Sequence, residues 1–230
     1  MREAIFSPLD HVDLAEKTYQ ALKDRILKRD LSPGERVSVD EVARALGVSR
    51  TPVNEALKRL AGEGLIDILP RRGTFVSQLT AHEVNELFDV RLMIELYSVQ
   101  TIFARGKVRE LLQLVRESME RMRRATHPQG YSDYMGFMDA DRELHLQLVT
   151  MAGNEYLARL YRELPVHVFV ARAHFLNNVE DARQALEEHD AVLHAFERGQ
   201  MEEVMQALRT HITTVKSRIL ELLEARGGQL

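Results

Sequence analysis

Residues 38–76, SVDEVARALGVSRTPVNEALKRLAGEGLIDILPRRGTFV, constrain the fold more than any other stretch of the chain. Val42, Ala43 and Leu46 recur at helical spacing, and Gly47 breaks them. Ser49 is placed to cap a second helix that starts at Arg50, with Val53, Ala56, Leu57 and Leu60 as its inner face. Two short helices joined by a tight Gly-containing turn make a helix-turn-helix, whose second helix lays its N-terminal residues against base edges. Those residues are Arg50, Thr51 and Asn54. Arginine pairs with guanine, asparagine with adenine, and the threonine methyl meets that of thymine. Residues 65–69 and 74–76 then read as two strands joined by the Pro70-Arg71-Arg72-Gly73 turn. A ribbon with two arginines at its tip suits a wing that grips phosphate or enters the minor groove.

The net charge of −4 argues against a nucleic-acid partner until it is divided. Residues 1–78 hold 13 Lys+Arg and 12 Asp+Glu, whereas residues 79–230 hold 18 and 23. Between Arg44 and Arg72 six basic residues face three acidic ones, a local cluster rather than a basic domain. Cysteine is absent, which removes disulfides, thiolate ligands and thiol chemistry. No apolar run approaches the roughly 20 residues that span a bilayer, and the first residues lack a signal peptide's apolar stretch. A cytoplasmic protein with no membrane partner is expected.

Helices are expected near 14–29, 39–46 and 50–63, and then, beyond the ribbon, near 81–104, 107–125, 131–152, 154–175, 179–198 and 200–225. Gly106, Gly130, Gly153 and Gly199 fall at or near the joints. The expected fold is mainly α: a winged helix-turn-helix domain over 1–78 and an all-helical bundle over 79–230.

Eight of the nine histidines follow residue 78. Asp141 and His145 are four apart and share a helix face with Phe137, Leu144, Leu148 and Met151. His189 falls with Ala182, Ala185, Leu193 and Phe196, and His211 at the edge of the Leu208, Ile212, Val215, Ile219 stripe. A lone histidine on a helix is more often structural or surface than a ligand, so convergence is the test. Together, three imidazoles and a carboxylate turned toward an apolar core are a ligand set for a divalent ion: zinc first, with nickel or manganese as alternatives. His11, His82, His127 and His194 read as surface; His167 and His174 share a face and either line a cavity or pack in the core.

Ser32-Pro33-Gly34-Glu35, Gly47-Val48-Ser49-Arg50-Thr51-Pro52-Val53, Glu55-Ala56-Leu57, Glu63-Gly64-Leu65 and Arg71-Arg72-Gly73-Thr74-Phe75-Val76 together resemble the winged-helix domain of GntR-family transcriptional regulators. The resemblance covers about residues 15–78. It implies base contact by Arg50, assisted by neighbouring threonines and the wing glycine, Gly73. Ser49, Arg44, Arg71 and Arg72 complete the expected DNA surface. Two positions depart from the family pattern: Asn54 stands where an arginine is usual, and Asp40 where several members carry another base-reading arginine. An exchange of that kind alters the preferred base edge, so no operator sequence carries over.

The spacing Asp141-x3-His145, then His189 and His211, with Ala152-Gly153-Asn154 and Arg91-x3-Glu95, resembles the FCD effector domain of the FadR subfamily over about residues 80–225. That resemblance implies a metal held by Asp141, His145, His189 and His211 inside an antiparallel helical bundle. It also implies a small organic acid bound beside the metal, with Arg91 and Asn154 as the effector residues. The expected protein is a homodimeric regulator of operator DNA whose acid ligand shifts DNA binding. Two other readings stand beside it: a sensor whose signal is the ion itself, and a helical-bundle metalloenzyme that activates water, for which no general base stands out.

Overall fold

The computed structural model describes residues 12–28, 30–78, 80–165, 178–225 and 227. The chain divides into two compact units, Met1–Gln78 and Leu79–Leu230.

In the first unit α1 (Val12–Leu27) packs on α3 (Arg50–Gly62), and α2 (Val39–Leu46) packs on α3 from its other side of the turn. Tyr19, Leu22 and Ile26 of α1 bury against the face of α3 made by Val53, Ala56, Leu57 and Leu60. Each such side chain contributes roughly 1.5–3 kcal/mol. The Tyr19 hydroxyl donates to Glu63 Oε1 at 2.6 Å, and the Arg59 guanidinium lies 3.7 Å from the Tyr19 ring centre. At the turn, Ser38 accepts the Glu41 amide as N-cap, and Gly47 takes a left-handed φ of 66° as C-cap. Ser49 holds the N-cap place of α3 in extended backbone, yet its side chain makes no capping bond, contrary to its expected job.

The wing is the antiparallel pair β1 (Ile66–Leu69) and β2 (Gly73–Val76), with Ile66 opposite Val76 and Leu69 opposite Gly73. It is wider than the sequence implies, because Arg36 bridges Phe75 from the far side. Its tip is tight. Gly73 sits at φ 124°, and Arg71, at φ 62°, is the one non-glycine with positive φ among the described residues.

Among its described residues the second unit is helical apart from one small hairpin. Its elements are α4 (Ala81–Ala104), α5 (Val108–Arg124), β3 (Thr126–His127), β4 (Gly130–Tyr131), α6 (Tyr134–Met151), α7 (Glu155–Glu163), α8 (Asn178–Arg198) and α9 (Met201–Ala225). The α4 helix opens with a reciprocal capping box between Thr80 and Glu83. Neighbours pair α5 with α6 and α8, α4 with α6 and α9, and α8 with α9. Phe88, Val115, Phe137, Leu148, Phe196 and Ile212 are among the side chains that fill the shared core. No described helix is long and apolar enough to cross a membrane.

Two expectations fail here. The helix expected from 131 starts at Tyr134, because residues 126–131 close a two-residue ladder around Pro128 and Gln129. The helix expected over 154–175 stops at Glu163, ahead of Pro165. A proline clashes with helical backbone at the residue before it. His167, His174 and the remainder of that expected helix lie outside the described residues, as does His11.

Candidate metal centre and nucleic-acid interface

Helical spacing on three helices brings four polar side chains into the bundle core. Asp141 and His145 stand one turn apart on the inner face of α6, among Phe137, Leu144 and Leu148. His189 comes from α8 and His211 from α9, and all four residues are buried. One donor atom from each, three imidazole nitrogens and a carboxylate oxygen, all lie within 4.8 Å of one another.

The outer ring nitrogens fix which atoms face inward. His145 Nδ1 lies 2.8 Å from Glu95 Oε2, His189 Nδ1 2.6 Å from the Ala185 carbonyl, and His211 Nδ1 2.9 Å from Glu188 Oε2. Each of these partners only accepts, so each Nδ1 carries the proton and donates. A neutral ring then presents a bare Nε2 lone pair to the centre. His145 Nε2 and His211 Nε2 face each other at 3.3 Å. His189 Nε2 lies 3.0 Å from Asp141 Oδ1, close enough to donate a proton to it when the ring is charged. Two imidazole lone pairs and a carboxylate aimed at one buried point repel unless positive charge sits among them, whether a proton on His189 or a cation in its place. An ordered carboxylate or carbonyl on the far nitrogen of each imidazole is what a metal-binding histidine needs.

The charges agree. Burial pushes the Asp141 carboxyl up, but His189, His145 and Arg91 outweigh it and hold the group well below its ordinary range. Burial, then Arg91, lowers His145; burial, then His189 and His145, holds His211 well below the imidazole range. His189 is raised, because Asp141 outweighs its burial. Ligands must be deprotonated, and Asp141, His145 and His211 already are.

Beside the cluster on α4 lies a buried ion pair. Arg91 Nε donates to Glu95 Oε1 at 2.7 Å, and Tyr161 Oη donates to the same oxygen at 2.6 Å. Glu95 is held down to about 2, because His145 and Arg91 outweigh its burial. Arg91 Nη2 is buried without a partner. Buried donors of this kind are uncommon and costly.

The structure also assigns work to residues the sequence left unassigned. Glu95 was visible only as part of a spacing; Tyr161 and Glu188 carried no signal. Glu188 accepts from Arg218 Nη2 at 3.0 Å as well as from His211, and a cavity of about 400 Å³ between α8 and α9 reaches it. Asn154 behaves differently from expectation: it is exposed, and its Oδ1 accepts the Leu157 amide as N-cap of α7.

On the other unit, Arg50, Thr51 and Asn54 are exposed at the start of α3. Arg50 Nε reaches Asp40 Oδ1 at 3.0 Å, so the acidic residue at position 40 is the ion-pair partner of Arg50. Arg44 is exposed on the last turn of α2, with Ser49 exposed in the turn beyond it. Arg71 and Arg72 are exposed at the wing tip. Arg36, which the sequence reading passed over, sets its side chain beside Gly73 at the base of that tip.

Comparison with known proteins joins the two units. Residues 14–76 match the family described as bacterial regulatory proteins, gntR family, and residues 86–214 match the FCD domain. The HTH-type transcriptional regulator YdhC of Bacillus subtilis is 26% identical over 208 residues, 90% of this chain and 91% of that protein. The gluconate operon transcriptional repressor of Bacillus licheniformis is 28% identical over 206 residues, 87% of this chain and 83% of that one. A crystal structure of a GntR transcriptional regulator from Rhodococcus sp. RHA1 superposes with a TM-score of 0.59 at 25% identity, covering 90% of this chain and 97% of its own. These relatives are regulators, not enzymes. The chain belongs to the GntR family: it is a DNA-binding transcriptional regulator that joins a GntR helix-turn-helix domain to an FCD domain.

Proposed function

We propose that this regulator acts as a homodimer on operator DNA in the cytoplasm, and that a small organic acid bound beside a metal ion in the FCD domain changes its DNA affinity. The metal is held by Asp141, His145, His189 and His211, with zinc the best fit to an imidazole-rich donor set and nickel or manganese next. When bound, it supplies a Lewis-acidic positive charge with positions left for a carboxylate. The convergence of three imidazole Nε2 atoms on the Asp141 carboxylate carries this reading.

Charge and hydrogen bonding favour an acid. With the three imidazoles deprotonated as ligands, the buried charges of the described core are Arg91, Glu95 and Asp141, which leave one excess negative charge. A divalent ion turns that into one excess positive charge, which a carboxylate cancels. Arg91 Nη2 is the donor without a partner, and guanidinium donors match carboxylate geometry. That same donor weighs against a sensor whose only signal is the ion, since a bare ion leaves it unsatisfied. Helix-turn-helix proteins read two-fold half-sites, so a second copy is needed. Arg50, Thr51 and Asn54 read bases while Arg44, Ser49, Arg71, Arg72 and Gly73 position the backbone. Acid binding then shifts the population of bundle arrangements that present the two winged domains.

The test is a thermal-shift screen of carboxylic acids, gluconate among them, with zinc present and with chelator, followed by DNA binding for each hit. A bound ligand stabilises the fold by mass action. The expected result is an acid that stabilises only the metal-loaded chain and changes its DNA affinity. Chelation and zinc alone switching DNA binding, with no acid active, would move the assignment to the ion sensor.

A further inference from the structure

Glu95 has more to do than pair with an arginine. It is fully buried and receives three hydrogen bonds from three helices: Arg91 Nε of α4 and Tyr161 Oη of α7 on Oε1, and His145 Nδ1 of α6 on Oε2. Both oxygens are engaged, and each partner bears on the four-ligand cluster in a different way. His145 is one of the four. Arg91 is the neighbouring cation, and its charge is felt by Asp141, His145 and His211. Tyr161 is a buried neutral donor that pins the carboxylate from outside.

A buried guanidinium whose carboxylate is removed is left as a costly uncompensated charge. Among the described residues the fully buried carboxylates are two, Glu95 and Asp141. Glu95 takes Arg91 through Oε1, the oxygen it shares with Tyr161; Asp141 is left to the imidazoles. Remove the Glu95 charge and the remaining buried carboxylate for Arg91 is Asp141. An Arg91–Asp141 pair would place a fixed positive charge on a metal ligand and fill the cluster with a cation the protein already owns.

We propose that Glu95 is a positioning residue that keeps Arg91 off Asp141, and so keeps the four-ligand cluster open to a divalent cation, while its second oxygen turns His145 Nε2 toward that cluster. The proposal rests on the reading of Asp141, His145, His189 and His211 as a metal centre. It makes Arg91 a latent competitor of the metal, and it places the choice between pairing with Glu95 and pairing with Asp141 beside the arginine's free Nη2.

The experiment uses the full chain, stripped with chelator, and measures zinc affinity by competition with a chromophoric chelator. The variants are Glu95→Gln, Arg91→Met and the double variant, with metal-free melting curves as a check of folding. Glu95→Gln keeps an oxygen that can accept from His145 Nδ1 but removes the charge that holds Arg91, and should weaken zinc binding by about 10- to 100-fold, the range seen when the surroundings of a metal ligand are disturbed. The double variant should recover most of that loss, because the competitor is gone. Recovery by a second substitution is not expected of a residue that only supports packing. Zinc binding unchanged in Glu95→Gln would overturn the proposal, and so would a double variant as weak as the single. Should Glu95→Gln fail to fold with its arginine unpaired, the double variant alone decides: near-native zinc affinity supports the proposal, and a loss of about 10- to 100-fold overturns it. A wild-type chain that takes up no zinc would remove the metal-centre reading and this proposal with it, an outcome distinct from a wild type that binds and a variant that binds equally well.

Discussion

The two functional surfaces of this regulator are built in opposite ways. At the start of α3, Arg50, Thr51 and Asn54 are exposed, and Arg50 is held only by a pair with Asp40 in which both side chains are more than half exposed. In the bundle, Asp141, His145, His189 and His211 are buried and each imidazole has a fixed partner on its outer nitrogen. An exposed reading head exchanges water for base edges at little cost, so its residues can be lost without harm to the fold. A buried cluster of ligands raises the energy of the fold unless a cation enters, so its residues bear on stability and on binding together. The comparison predicts where a mutation will be felt.

The largest effect should come from the metal. At a free ion concentration 1,000 times the dissociation constant, a bound ion adds about 4 kcal/mol to stability. His189→Ala should abolish most of that increment, so that zinc raises the melting temperature of the wild type and leaves the variant nearly unmoved. The variant's metal-free melt should fall less, and its affinity for DNA without zinc should match that of the metal-free wild type. Normal zinc content in His189→Ala, or likewise in His145→Ala, would break the assignment of the cluster.

Arg50→Ala tests the other side. It should weaken specific DNA binding by about 1–3 kcal/mol and relax the base preference at one position of each half-site. Zinc content and the melting curve should stay where they are. A variant that loses metal, or melts earlier by several degrees, would show that the two surfaces are not independent in the way their burial implies.

Acid should separate the units further. His145 and His211 lie below the imidazole range in the folded chain, chiefly because burial opposes their charge. The unfolded chain therefore takes up protons from about pH 6.5 downward where the folded one resists, and stability is lost as pH falls through that window. Asp141, also depressed, adds a loss at lower pH. His189 works the other way, since its raised value contributes stability below about pH 6.5 that is lost as pH rises. Two depressed imidazoles, one of them strongly, outweigh one raised one. The metal-free bundle should melt earlier at pH 5.5 than at pH 7.5, and zinc should bind more weakly there because protons compete. A melting temperature that rises on acidification would reverse the assignment of which histidines are neutral.

How much of this was legible in sequence follows from the range of the interactions. The helix-turn-helix, its wing and the inward faces of α6, α8 and α9 rest on spacings of three and four residues, and such spacings are visible in a chain. The four members of the buried cluster were therefore legible one helix at a time. What holds them was not. Tyr161 meets Glu95 across 66 residues, and Glu188 turns away from its neighbour His189 to serve His211 on another helix. No local period encodes either contact. The cap at Ser49 and the helix run through Pro165 fail for the converse reason: the local signal was present, and the backbone at the turn and the proline ring decided against it.

The smallest effect is at Asp40, and it has two signs. Asp40 lies in the first turn of α2, where a negative charge stabilises the helix by about 0.3–1 kcal/mol. It also occupies Arg50, in an exposed pair of the kind that contributes about 0.2–1 kcal/mol. Asp40→Asn keeps the size of the side chain and removes its charge. Helix α2 should lose a few tenths of a kcal/mol, seen as a slightly lower melting temperature of the free chain. DNA binding should move the opposite way. Arg50 no longer leaves a carboxylate to reach a base, and a negative charge facing the phosphates is gone, so affinity should rise several-fold and depend more steeply on salt. A free chain that is less stable yet binds DNA more tightly separates the reading head from the scaffold beneath it. Weaker binding would mean that Asp40 helps to aim Arg50 at its base rather than restraining it, and that the exposed surface is as ordered by its partners as the buried one.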